Sequence, residues 1–184
     1  MKRILFPIML ATPLIAGELN IVHLGPPDSV KIEIQCAGAK QEVELPHGGS
    51  TGQFMLPVED ATIRVPDTKI PDLPIAATEE RKIAVLKPSA DGYDWLLIPG
   101  KASEKWSLRA VNLTQITVSS LRDGTAVEIG PGTIVDIATK GKTGVSIQID
   151  GGGEFTYKGS EPCAVVAFIH QADGKWKVLF VTDR

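Results

Sequence analysis

The sequence predicts an all-β protein made of two tandem, immunoglobulin-like antiparallel β-sandwich domains. Apolar and polar residues alternate with a period of two, most clearly in Val30–Cys36, which is typical of a strand with one buried face. Turn dipeptides separate such segments, and no window after Gly17 keeps the 3.6-residue apolar period of a helix. Segments of the first half also recur in the same order in the second half, which indicates an internal duplication.

The first 17 residues are predicted to be a signal peptide. Lys2 and Arg3 form a short cationic start, and Ile4–Ile15 is an apolar segment interrupted by two prolines and one threonine. This segment is shorter than the roughly 20 residues that a membrane-spanning helix needs. The small residues Ala16 and Gly17 offer a cleavage site. We therefore expect an exported protein that works in the periplasm or outside the cell.

Shorter alternating segments predict further half-buried strands, at Val43–Leu45, Ile63–Val65, Val127–Ile129 and Val145–Ile149. Continuous apolar segments predict strands buried on both faces, at Ile83–Leu86, Trp95–Ile98, Ala164–Ile169 and Val178–Val181. Hairpin turns are expected where Asp precedes Gly, at Asp91-Gly92, Asp123-Gly124 and Asp173-Gly174. The segment Pro66–Pro74 contains three prolines, so it is predicted to be an extended surface segment or an edge strand.

The repeat sets the expected domain boundaries. Matching pairs of segments are Ile21–Leu24 with Ala110–Leu113, Val43–Leu45 with Val127–Ile129, and Ala90-Asp91-Gly92 with Ala172-Asp173-Gly174. The spacing between matched segments shortens in one direction along the chain, as it does when a second copy loses loop residues. We expect domains at 18–101 and 105–184, with Val30 equivalent to Ile116 and Ile63 equivalent to Ile147.

Composition excludes one class of partner. The 19 Lys and Arg residues against 22 Asp and Glu residues give a net charge of −3, without the clustered cations that a nucleic-acid binder needs. Membrane spans and cofactors are not expected either.

Two cysteines, Cys36 and Cys163, leave two alternatives open: a disulfide closing a long loop, or free thiols packed in the core.

Candidate catalytic and metal-binding residues are few. Three histidines, His23, His47 and His170, are enough for a three-His metal site only if the fold brings them together, and their spacing matches no metal motif. Ser50 lies in a glycine-rich segment beside His47 but lacks the strand-turn-helix setting of a serine nucleophile. We predict no catalytic residue and no metal ligand, so the protein is expected not to be an enzyme.

Four aromatic residues are the candidate ligand-binding residues. Phe155 and Tyr157 share one face of a strand, and Tyr93 and Trp95 share one face of another. Aromatic rings stack on the apolar faces of sugars, but the same rings are equally suited to filling a small core. Two functions follow: a non-enzymatic interaction or structural module that contacts another envelope or surface component through an open sheet edge, or a carbohydrate-binding module with an aromatic platform.

The segment Ile21–Leu24 as an opening strand and the Thr51-Gly52 loop before a later strand resemble small secreted bacterial β-sandwich proteins of unassigned function. The resemblance covers most of the chain after residue 17. It implies the fold class and the location outside the cytoplasm, and it assigns no catalytic or binding residue.

Overall fold

The computed structural model describes residues 15–25, 28–57, 59–77, 80–89, 92–122, 125–137, 139 and 143–183. Within these ranges every regular element is a β-strand. The chain divides into two compact units, the first ending at Ile98 and the second beginning at Pro99. A search of the described residues finds no helix with the length and hydropathy needed to cross a membrane. The predicted all-β class is confirmed, and the predicted signal peptide lies mostly outside the described residues.

The first unit has two four-stranded sheets. Its strands are β1 (Ile15–His23), β2 (Ser29–Cys36), β3 (Ala39–Pro46), β4 (Phe54–Pro57), β5 (Ala61–Arg64), β6 (Leu73–Ile75), β7 (Lys82–Ser89) and β8 (Gly92–Pro99). One sheet has the order β4-β1-β7-β8, and the other has the order β3-β2-β5-β6.

The second unit repeats this arrangement. Its strands are β9 (Ser107–Asn112), β10 (Val118–Arg122), β11 (Thr125–Ile129), β12 (Ile134–Ile137), β13 (Gly144–Ile149), β14 (Gly153–Lys158), β15 (Ala164–Ala172) and β16 (Lys175–Asp183). The sheet orders are β12-β9-β15-β16 and β11-β10-β13-β14. Each strand of the first unit thus has a counterpart, eight strands later, with the same neighbours.

One strand pair in each unit differs from the predicted antiparallel pairing. The pairs β1 with β7 and β9 with β15 are parallel, whereas pairs such as β2 with β3 and β10 with β11 are antiparallel. Several strands separate the two members of each parallel pair in sequence, so no tight hairpin sets their relative direction.

The two sheets of the first unit enclose one apolar core. Leu19 and Ile21 of β1 pack in it with Ile32 of β2 and Ile63 of β5, which is the arrangement of a β-sandwich. The second unit has its own core, built in the same way from both of its sheets. Two packed pairs of sheets therefore account for most of the buried apolar side chains.

The alternation of Val30–Cys36 is confirmed, with one exception. Val30, Ile32 and Ile34 face the core of the first unit. Glu33 was expected to be exposed but is buried, because Lys40 forms an ion pair with it and Gln35 donates a hydrogen bond to it. The hydrogen bond from Lys40 is the main reason that the pKa of Glu33 lies below its ordinary value.

The continuous apolar segments divide into two classes. Ile83–Leu86 of β7 and Ala164–Ile169 of β15 are buried at every position, as predicted. Trp95–Ile98 and Val178–Val181 belong to β8 and β16, the outermost strands of their sheets, and most of their side chains are half-buried or exposed. The prediction was wrong for these two segments, because an apolar segment does not by itself distinguish a central strand from an edge strand.

The structure also bears on the predicted hairpin turns, the proline-rich segment and the two cysteines. Asp173 and Gly174 both have positive φ, 54° and 68°, as a type I′ hairpin turn requires. Asp91 and Asp123-Gly124 lie outside the described residues. The segment after Pro66 ends in the short edge strand β6, as expected. Cys36 and Cys163 are free thiols.

The strand register corrects one expected equivalence. Val30 lies opposite Leu45 in the first unit, and Val118 lies opposite Ile129 in the second. Leu45 and Ile129 are matched residues of the predicted repeat, so by register Val118 rather than Ile116 corresponds to Val30. Ile116, the expected counterpart, precedes β10 and is 54% exposed. A slip of two residues keeps the same face buried, so alternation could not detect it.

Candidate functional site

The first unit has a cleft at one end of its two sheets. Its volume is about 390 Å³, within the range of about 300–1,000 Å³ typical of small-molecule sites. Residues from β2, β7, β8 and the β5–β6 connection line it: Ser29, Val30, Lys31, Val65, Pro66, Thr68, Lys69, Ile70, Leu86, Gly92 and Tyr93. Most of the lining surface is apolar, with hydroxyl and ammonium groups among it.

The β5–β6 connection, residues 65–72, forms one wall of the cleft. The Thr68 hydroxyl donates to the Val65 carbonyl at 2.8 Å and accepts the N–H of Ile70 at 3.3 Å. At the base of the connection, the Arg64 guanidinium makes a bidentate contact with the Asp72 carboxylate. This contact raises the pKa of Arg64 and lowers the pKa of Asp72. The wall is therefore held in shape by local hydrogen bonds rather than by a regular strand.

Tyr93 forms another part of the lining, and Gly25 determines where its ring lies. A Cβ atom added to Gly25 would lie 2.7 Å from Tyr93 Cε1, so only glycine allows this close approach. Gly25 also has a φ of +146°, which other residues rarely adopt. Burial raises the pKa of Tyr93. The phenol thus stays protonated at neutral pH and adds no negative charge to the cleft.

Trp95 supports the cleft without lining it. Its indole N–H donates to the Pro71 carbonyl at 3.1 Å, and its ring packs against the core of the first unit. The bond ties the edge strand β8 to the β5–β6 connection.

The second unit has a much shorter connection at the corresponding end. A turn of only three residues, 150–152, joins β13 to β14. Trp176 of β16 corresponds in position to Tyr93 of β8. Each is the second residue of the last strand of its unit and the first half-buried residue of that strand. A Cβ atom added to Gly152 would lie 2.8 Å from Trp176 Cδ1, so the indole packs directly on this turn. At this end the second unit thus has an indole packed on a short turn, where the first unit has the longer β5–β6 connection.

Two lysines supply the charge of the lining. The Lys31 ammonium forms an ion pair with Glu42 at 2.6 Å, and the Ser29 hydroxyl donates to Glu44 at 2.9 Å. Among the described residues, Lys69 has no ion pair and the lining contains no carboxylate. Within this part of the chain, Lys69 is thus the lining cation whose charge is not neutralised.

A buried histidine lies close to Gly25. His23 is fully buried, and neither ring nitrogen has a hydrogen-bond partner within the described part of the chain. The His47 ring meets it edge-on, with ring centroids 6.1 Å apart. His47 Nδ1 lies 3.0 Å from the Gly25 nitrogen and 2.9 Å from the Gly25 oxygen. Burial is the main cause that lowers the pKa of His23.

The predicted aromatic residues are divided between the two units. Tyr93 and Trp95 pack against the first core, and Phe155 and Tyr157 pack against the second. All four are half-buried. The Tyr157 ring contacts the rings of Trp106 and Phe180, each with a centroid separation of 6.1 Å. Only Tyr93 lines the cleft.

Metal-binding groups are not clustered in the described ranges, where no set of three or more His, Cys, Asp and Glu side chains is placed to hold an ion. His23 and His47 do come together, whereas His170 belongs to β15 in the second unit. Sequence reasoning missed the aliphatic lining and Lys69. The signal that could have found them is the extra length of the Pro66–Pro74 segment, which has no counterpart of similar length in the second unit.

No protein-family model matches this chain, and a search of curated proteins finds no match.

Proposed function

We propose that the protein is an extracytoplasmic, non-enzymatic binding module whose ligand is another component of the cell envelope or surface. The cleft of the first unit carries this proposal. It is a preformed space of ligand size, built by a connection that has no counterpart of similar length in the second unit.

The chemistry of the lining supports binding rather than proton transfer. General acid–base and nucleophilic catalysis rely on a carboxylate, histidine or thiol held near the substrate. Among the described residues, the lining consists of aliphatic groups, hydroxyls, one phenol and two ammonium groups. An apolar space with a few polar groups at defined places is typical of a ligand site.

We further propose that both units are immunoglobulin-like and arose by duplication, and that residues 1–17 are removed on export. The matching strand orders support the duplication. So does a shared turn, in which the N–H of Gly48 donates to His23 and the N–H of Gly132 donates to Asn112. Both glycines have positive φ. On this view one copy kept a short turn at the corresponding end, and the other acquired a binding cleft.

Filling the cleft tests the binding role. Ile70 is half-buried in the lining, so Ile70→Trp adds bulk there, and Ile116→Trp makes the same change at an exposed position. Each immobilised protein is incubated with a fractionated envelope extract, and the retained proteins and small molecules are identified by mass spectrometry. We expect a component retained by wild type and Ile116→Trp to be lost with Ile70→Trp, at unchanged melting temperature. Equal retention by all three proteins would contradict the proposal.

Strand addition at β16 is a second route to a protein partner. Val178–Thr182 contains no charge and no proline, and charges and prolines are the usual means of protecting an edge. In a type I′ hairpin the two residues that flank the turn form backbone hydrogen bonds with each other, and every second pair along the strands does the same. The backbone N–H groups of Val178 and Phe180 therefore point away from β15. Hydrogen exchange of these amides, with and without a captured partner, tests this route, and unchanged exchange would refute it.

A further inference from the structure

We infer that the cleft of the first unit takes a small anionic amphiphile, with an apolar body between the sheets and one anionic group paired with Lys69. This inference rests on the proposed binding role of the cleft and adds the chemical class of its ligand.

The inner lining calls for an apolar body. Val30, Val65 and Leu86 are buried core residues that also line the cleft, so polar atoms placed against them would lose water without gaining a hydrogen bond. In the second unit, the indole of Trp176 packs on the β13–β14 turn, which takes the place of the β5–β6 connection. A ring or an aliphatic chain of similar thickness would give the β5–β6 connection a comparable packing partner in the first unit.

The charges around the cleft call for an anion. Lys31 is neutralised by Glu42, and Arg64 is neutralised by Asp72. Lys69 remains without an ion pair in the described part of the chain. Asp67 lies on the same connection but is not part of the lining. An anionic group at Lys69 thus gains an opposite charge, whereas a cationic ligand would be repelled.

The test compares two dyes that differ by one charged group. The anionic dye is 8-anilinonaphthalene-1-sulfonate, and the neutral dye is N-phenyl-1-naphthylamine, which is the same molecule without the sulfonate. Both gain fluorescence in apolar surroundings. Binding of each is titrated at low ionic strength to wild type, Lys69→Glu, Ile70→Trp and the charge-matched control Lys105→Glu, which alters an exposed lysine of the second unit.

We expect saturable binding of one anionic dye molecule per chain. Lys69→Glu should weaken binding of the anionic dye roughly fivefold, which is the contribution of an exposed ion pair. It should leave the affinity for the neutral dye within about twofold of wild type. Lys105→Glu should change neither. Salt at about 0.5 M should remove most of the Lys69 effect, because it screens exposed charges. Ile70→Trp should weaken both dyes.

The remaining outcomes overturn different claims. Suppose that Ile70→Trp abolishes binding of both dyes, but Lys69→Glu weakens the two dyes equally or leaves both unchanged. The proposal that the ligand is anionic is then wrong, and the cleft remains a binding site. If Ile70→Trp leaves both dyes bound as in wild type, the dyes bind elsewhere and the cleft fails as a ligand site. Melting curves of the four proteins distinguish either result from unfolding.

Discussion

His23 and Asn112 occupy the same position in their two units, and within the described part of the chain only the Asn112 side chain is fully hydrogen-bonded. Each is the last residue of the first strand of its unit. The backbone N–H of His23 donates to Gly49, and that of Asn112 donates to Thr133. Gly48 and Gly132, one residue earlier in the two turns, donate back to His23 and Asn112, at 2.9 and 2.7 Å.

The two side chains differ in whether their polar atoms have hydrogen-bond partners. The Asn112 amide donates to the Ile116 and Ile129 carbonyls at 2.7 and 2.8 Å, and its oxygen accepts from Thr114. The His23 ring has no such partner in the described residues. Its pKa is lowered first by burial and also by His47. The Pro46 and Leu45 backbones lie near enough to oppose this shift in part, although neither meets the geometry of a hydrogen bond to the ring.

The first prediction is that His23 makes the first unit sensitive to acid. Its folded-state pKa lies below the ordinary value of 6.5, so the unfolded chain binds more protons between the two values. Stability is fully present above pH 6.5 and is lost as the pH falls from there through the folded-state pKa, by at most about 1.4 kcal/mol per pH unit. His23→Asn should remove this loss. Chemical unfolding between pH 8 and pH 5 measures it.

The reverse change supplies the control. Asn112→His places the same ring at the same position of the second unit, so it should introduce an acid-dependent loss of stability there. Equal pH dependence in wild type and His23→Asn would mean that other groups cause the acid sensitivity.

A second prediction concerns Ser120, which lies opposite Val127 and Ile149 in the second unit. Its hydroxyl is buried and has no hydrogen-bond partner within the described residues. Leaving a polar group unpaired costs about 1–3 kcal/mol, so Ser120→Ala should raise the free energy of unfolding by about 1 kcal/mol. A measured loss of stability would indicate that the hydroxyl is bonded in solution.

Core packing of the first unit gives a third prediction. Ile32 is 0% exposed and lies between the two sheets. Ile32→Ala removes buried methylene groups and leaves a cavity, so it should destabilise the protein by about 2–5 kcal/mol. Ile116→Ala, the same change at an exposed position, should alter stability by less than about 0.5 kcal/mol. Similar effects of the two variants in urea unfolding would argue against the core described here.

A fourth prediction separates the core role of Tyr157 from the aromatic platform for sugars. Since its ring contacts Trp106 and Phe180, Tyr157→Ala should destabilise the protein by about 2–4 kcal/mol. Thermal unfolding is measured beside a glycan-array assay. A variant that melts like wild type but loses glycan binding would instead favour the carbohydrate-binding module.

The fifth prediction is export with cleavage near Ala16 or Gly17. The described strand β1 begins at Ile15, so cleavage there would keep most of the strand in the mature protein. N-terminal sequencing of the protein recovered outside the cytoplasm of a secreting host identifies the new terminus. An intact Met1 on protein confined to the cytoplasm would rule out the leader.

The sequence by itself determined the fold class, the buried face of β2, the Asp173-Gly174 turn and the edge position of the proline-rich segment. Each depends on local rules, such as the two-residue period of strands and the positive φ that glycine accepts.

Only the tertiary structure decided which apolar segments are central, that Val118 rather than Ile116 matches Val30, and that the first unit has a cleft. These features depend on which distant strands pair and in what register. A two-residue period is unchanged by a two-residue slip, and it carries no information about a strand's neighbours. The cleft depends on packing in the same way, because Tyr93 lies against Gly25 and the β5–β6 connection rather than against its neighbours in sequence.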